Sequence, residues 1–169
     1  MPKTIAAAAL GLAVAMAAGE QVYPILQPQM KVEIGSFKAP AGKLGEMPVQ
    51  PWSATTFGAA IDGKPNPGTV TTVRGEIVDF SCYLELGKHG EKHRGCAQRC
   101  LANGQPIGLL TENGNLYMLM EEEHDPRRDG LNNFREVAIG AVGKIMDVSG
   151  TETAHAGYKA IYVAGFFKK

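Results

Sequence analysis

Proline decides where this chain can hold regular structure. Seven of its ten prolines (Pro24, Pro28, Pro40, Pro48, Pro51, Pro65 and Pro67) fall within residues 20–69. Each fixes φ and withdraws a backbone donor, so neither a long helix nor a central strand is expected to run through that stretch. No helical or strand period persists there, and the segment reads as an extended Pro/Gly-rich arm. A folded core is therefore expected from residues 70–169. The only tryptophan, Trp52, lies in the arm near Phe57. A ring of that size implies that the arm docks, either on its own domain or on a partner subunit.

Residues 1–19 have a different texture. Met1-Pro2-Lys3 is short and basic, residues 4–19 are uncharged and Ala-rich, and Ala15-Met16-Ala17 fits a small-x-small cleavage signal. A secretory signal peptide is the expectation. The competing reading is an uncleaved N-terminal membrane anchor, although the stretch is shorter than the ~20 apolar residues that span hydrocarbon. Both readings export the rest of the chain, as a periplasmic protein or one membrane-anchored and facing the periplasm. Membrane contact is then expected only through the N-terminal segment. The 17 basic and 17 acidic side chains cancel, and no long basic run occurs. That leaves no electrostatic footprint for nucleic acid.

From residue 70 the pattern turns to strands. Val73 to Phe80 suits a strand partly buried on both faces. Gly87-Lys88-His89-Gly90 is a loop, and residues 91–103 read as a short helix stopped by Gly104 and Pro106. Residues 107–111 and 116–120 form a hairpin with a type I′ turn expected at Asn113-Gly114. Glu121-Glu122-Glu123 with His124 and Asp125 reads as a solvated charged face, and residues 124–133 as a surface loop. Residues 137–148 read as a long strand bent at Gly140 or Gly143. Residues 149–157 turn the chain, and residues 159–167 make the last strand. Five strands and one helix, without regular alternation, predict a mainly β fold: a small curled barrel preceded by the arm.

The stretch Val137 to Met146, followed by Tyr158-Lys-Ala-Ile-Tyr-Val163, resembles the closing hairpin of small OB-type barrels. Gly75-x-x-x-Asp79-x-x-Cys82, His93-x-x-Cys96-x-x-x-Cys100, Gly104-x-Pro106 and Gly114-x-x-Tyr117 resemble a group of small exported bacterial proteins with an OB-like domain. The resemblance covers residues 70–167, and the Cys/His spacing is its specific part. It implies a five-stranded OB-like barrel and an exported location, and only weakly a function.

The three cysteines give that domain its chemistry. At ~100° per residue His93, Cys96 and Cys100 fall within about 60° on one helix face. Cys82, expected at the end of the first strand, can meet that face, and His89 in the loop is within reach. Two readings follow. Three sulfurs and an imidazole suit a transition metal (zinc, copper or iron), with Asp79 as a second-shell carboxylate orienting His93. Alternatively Cys82 bonds Cys100 or Cys96 in a disulfide that staples helix to strand. Cys96 to Cys100 is less natural, since cysteines four apart on an intact helix seldom reach bridging geometry. No nucleophile elbow, phosphate loop or His-Glu-x-x-His pair occurs, so no catalytic residue is identified. The expectation is a non-enzymatic exported protein. An accessory subunit of a membrane-associated envelope complex, contacting its partners through residues 20–69, is the alternative. A thiol redox protein is the third.

Overall fold

The structure, a computed structural model, describes residues 32–121 and 133–166. The signal or anchor segment 1–19, and nearly all of the acidic run and polar loop between Glu121 and Asn133, lie outside the described residues. In chain order the elements are β1 (Gly42–Leu44), α1 (Ala54–Ala59), β2 (Gly68–Asp79), α2 (Phe80–Leu86), α3 (Arg94–Ala102), β3 (Ile107–Leu110), β4 (Leu116–Met120), α4 (Phe134–Ala141), β5 (Ile145–His155) and β6 (Tyr158–Val163). Short 3₁₀ turns occupy Ile61–Gly63 and Glu91–His93.

β2 pairs antiparallel with β5 from Gly68 to Glu76 and with β3 from Glu76 to Asp79. β3 pairs antiparallel with β4, β4 runs parallel to β6, and β6 returns antiparallel to β5. The order β2-β3-β4-β6-β5 and back to β2 closes a five-stranded barrel. This is the five-stranded OB-like barrel expected from the sequence, with a helix, α4, that was not expected between β4 and β5.

Each of the five strands has two neighbours in the closed barrel, and on the two longest a glycine stands where another strand comes closest. A Cβ at Gly75 would lie 2.7 Å from the Leu110 carbonyl oxygen, and one at Gly150 would collide with the Tyr162 carbonyl. Only glycine allows the neighbouring backbone so close. The glycines that the barrel strands require are therefore Gly75 and Gly150, whereas Gly140 lies in α4 and Gly143 in the turn before β5.

Three expectations need correction. The barrel carries four short α-helices, not one. Residues 137–148 are not one strand: α4 occupies Phe134–Ala141, and β5 begins at Ile145 after a turn at Gly143 (φ +73°). Phe134, Ala138 and Ala141 are the buried positions, at helical spacing, while Val137 faces solvent. The apolar run looked strand-like only when read from Val137 onward. Finally, Asn113-Gly114 does make the β3–β4 hairpin, but not as a type I′ turn. Only Gly114 has positive φ (+80°), and its N–H donates to the Thr111 carbonyl at 3.0 Å. That is a type I turn followed by a left-handed glycine. The β5–β6 hairpin turn, Ala156-Gly157, is one that has two positive φ values (+49° and +84°).

The described part of the arm lies on the barrel itself. β1 pairs parallel with β5, and the Thr151 hydroxyl donates to the Pro51 carbonyl at 2.7 Å. Trp52 is buried, donates Nε1–H to the Asn66 carbonyl at 2.8 Å and meets the Tyr162 ring edge-on. Its docking site is thus the chain's own domain. The core runs from Leu44 through Ile77, Leu109, Leu119, Val148 and Ile161 to Ala97, Leu101, Phe134 and Ala138 under the helices. Among the described residues no helix is long and apolar enough to cross a membrane.

Candidate metal centre

β2 ends in a carboxylate that also starts a helix. Asp79 is the N-cap of α2, with Oδ1 accepting from the Cys82 N–H at 3.0 Å. Such a cap satisfies one of the helix's orphan donors and suits Asp well. Gly87 closes α2 in the left-handed region (φ +63°). Cys82 is thereby held in the first turn of α2, and not at the end of a strand as expected.

The opposite wall is α3, seated on β2 and α4 by buried Ala97 and Leu101. Gln98 Nε2 and Arg94 Nη2 donate to the Ile139 and Gly140 carbonyls at 3.2 and 3.0 Å, and Arg135 Nη1 reaches the Leu101 carbonyl at 2.9 Å. Around the helix axis, with His93 at 0°, Ala97 projects to ~40°, Cys100 to ~340° and Cys96 to ~300°. Burial falls in that same sense: Ala97 and His93 are buried, Cys100 is intermediate and Cys96 is exposed.

Among the described residues the group that converges is Asp79, Cys82 and Cys100, whose ligand atoms all lie within 4.8 Å of one another. The sequence expectation of Cys82, His93, Cys96 and Cys100 is thus met in two sulfurs. His93 and Cys96 stand outside this group, and Asp79, expected to act from behind a ligand, faces the sulfurs directly. His89 lies apart, with Nδ1 3.1 Å from Glu76 Oε2. All three cysteines are free thiols.

The electrostatics are lopsided. Asp79 is 0% exposed, and among the described residues Oδ2 receives no hydrogen bond of ordinary geometry and no cationic side chain forms an ion pair with it. Its hydrogen-bonding acceptor oxygens, then burial and its charge, push the Cys82 thiol up to about 12. Burial first, then Asp79, raises the Cys100 thiol as well. Both thiols are therefore protonated at neutral pH. Asp79 also borders a tightly packed crevice, closed to water, that it lines with Glu76, His89, His93, Arg94 and Gly143. There His93, 9% exposed, buries an Nε2 that also lacks a partner. Arg94 Nε, in the same lining, is a third buried atom without a partner, and because buried polar atoms are nearly always satisfied this cluster calls for a physical cause.

Ligand atoms about 2.3 Å from a tetrahedral ion stand roughly 3.8 Å apart. A spread of at most 4.8 Å needs no more than about an ångström of contraction to reach that geometry. Two sulfurs and a carboxylate oxygen are a donor set that can hold a metal ion. Burial of Asp79 was the part hidden from sequence, because a carboxylate three residues before a cysteine signals a helix cap equally well. Comparisons with known proteins returned no family model, no curated protein and no solved structure matching this chain.

Proposed function

We propose that this is an exported, non-enzymatic metal-binding protein in which Asp79, Cys82 and Cys100 hold one zinc-class divalent cation. One observation carries the reading: a fully buried carboxylate without a counter-charge lies against two thiols that it keeps protonated. Burying such a charge uncompensated is costly, and a divalent cation removes the cost while displacing both thiol protons. The mixed sulfur and oxygen set suits zinc. Copper(I) favours sulfur alone, and iron carries no advantage here. His93, which stands outside the converging group, is not among the ligands proposed.

The same chemistry argues against the competing readings of the cysteines. Exchange into a disulfide needs a thiolate, and the carboxylate suppresses it. A Cys82–Cys100 bridge would also leave Asp79 buried with no charge partner. Export rests on the composition of residues 1–19.

Elemental analysis combined with thiol counting on the full chain, purified without reductant, tests this reading. Near-stoichiometric zinc is expected, with Cys82 and Cys100 unreactive until a chelator or denaturant is added. A metal-free protein with one reactive thiol would instead assign the bridge.

A second reading, an accessory subunit of an envelope complex, draws on exposed Val49, Phe57 and Ile61 along the described part of residues 20–69. It predicts that the full chain, extracted from membranes in mild detergent, sediments with other subunits. A lone monomer would contradict it.

A further inference from the structure

We infer that Cys96 is the port through which the metal enters and leaves: an exposed thiol that takes the ion from an anionic complex and passes it inward to Cys100 and Cys82. The inference rests on the metal reading above and adds a route to it. Four groups form a series of increasing burial. Cys96 is exposed, Cys100 and Cys82 are intermediate, and Asp79 is fully buried. Adjacent members touch. Cys96 and Cys100 are one helical turn apart on α3 and act on each other, and Cys100, Cys82 and Asp79 converge within 4.8 Å. Cys96 is outside that final group, so it is suited to a passing contact and not to a resident one.

The approach to Cys96 is open and positive. A Cβ added at Gly95 would meet nothing within 4 Å. On α3 Arg99 projects to ~240°, on one side of Cys96 at ~300°, and Lys92 stands in the 3₁₀ turn just before the helix. Cations on the rim of an exposed soft ligand favour an incoming metal that carries net negative charge, such as a carboxylate or thiolate chelate. The exchange is balanced without any change of oxidation state. The Cys96 sulfur forms a bond to zinc as its proton leaves to solvent, and one bond to the donor chelate breaks. Cys100 then binds as its own proton leaves to solvent, and the remaining chelate bonds break. Finally Cys82 and Asp79 bind as the Cys82 proton leaves, and Cys96 releases the ion and regains a proton.

Zinc extraction from the loaded full chain by nitrilotriacetate, an anionic chelator, separates route from affinity. For Cys96→Ser the expected result is an equilibrium affinity within a few-fold of wild type and extraction about tenfold slower, the scale of losing one assisting ligand. Cys96 is exposed, so this variant keeps the fold, and Cys82→Ser serves as the reference for loss of a resident ligand. Extraction at the wild-type rate overturns the port. An affinity loss as large as that of Cys82→Ser also overturns it, by making Cys96 a permanent ligand. Wild-type protein that binds no zinc overturns the metal reading itself, and the two failures are thereby told apart.

Discussion

Two aspartates on the two long barrel strands differ in one respect that organises the molecule. Asp147, on β5, receives a forked guanidinium from Arg74 on β2, with Nε–Oδ1 at 2.6 Å and Nη2–Oδ2 at 2.9 Å. The Arg74 hydrogen bonds hold the Asp147 carboxyl below its usual range, against the opposing pull of burial. Arg74 also donates to the Phe37 carbonyl at 3.0 Å, tying the arm to the barrel. Asp79, on β2, is more deeply buried, yet a backbone N–H and two neutral thiols stand where Asp147 has a guanidinium, and both thiols are pushed up as a result. A resident cation completes one carboxylate. The other is complete only with a cation from outside, which is the physical content of the metal reading.

The largest effect should come from removing a ligand. Cys82→Ser, Cys100→Ser and Asp79→Asn should each weaken zinc binding more than about 100-fold, beyond the loss seen for groups that only orient a ligand. Competition with a chromophoric chelator measures this, and Asp147→Asn should leave the affinity unchanged. A smaller effect sharpens the contrast through its sign. Asparagine is also a good N-cap, so Asp79→Asn keeps the cap and removes a buried charge, and metal-free protein should gain about 1–2 kcal/mol in denaturant unfolding. Asp147→Asn should lose about 1 kcal/mol, because it breaks a partly exposed ion pair. Equal signs would mean that the two carboxylates are not in opposite situations.

The pH dependence separates the same two sites. Asp147 has a depressed folded-state value. Its stabilisation is present above the unfolded carboxyl range, near 3.8, and is lost as pH falls through the lower folded value. Cys82 has a raised one. Its contribution is full below the unfolded thiol value of 9.0 and is lost as pH rises toward about 12. Thermal unfolding of metal-free protein should therefore weaken at both ends, and Cys82→Ser should reduce the alkaline part, to which Cys100 also contributes, and leave the acid part unchanged. The smallest effect is a background control far from both carboxylates. Ala156 holds φ +49° in the β5–β6 turn, so Ala156→Asn should stabilise by about 0.5–1 kcal/mol with zinc affinity untouched.

The barrel was legible because most of its strands alternate or end at clear punctuation: β4 and the end of α3 at Gly104 fall where the residue pattern puts them. What stayed hidden depended on distant contacts. Gly75 and Gly150 are required in their strands because the Leu110 and Tyr162 carbonyls crowd them, and neither neighbour is visible locally. α4 was masked because Val137, Ile139 and Val142 have strand-like side chains, and only the burial of Phe134 fixes the helical period. At the site, the helix face carrying His93, Cys96 and Cys100 was readable from spacing. Their graded burial was not, since it depends on how Ala97 and Leu101 seat α3. Asp79 was recognisable as a neighbour of the cluster, but its direct part follows from the α2 cap turning Cys82 back over it.

The most direct test of an incomplete carboxylate is to titrate zinc into reduced, metal-free full chain near pH 7 while counting released protons. One zinc per chain should bind and free about two protons, from Cys82 and Cys100. Three titratable thiols with no zinc taken up, or binding that releases no protons, would contradict it.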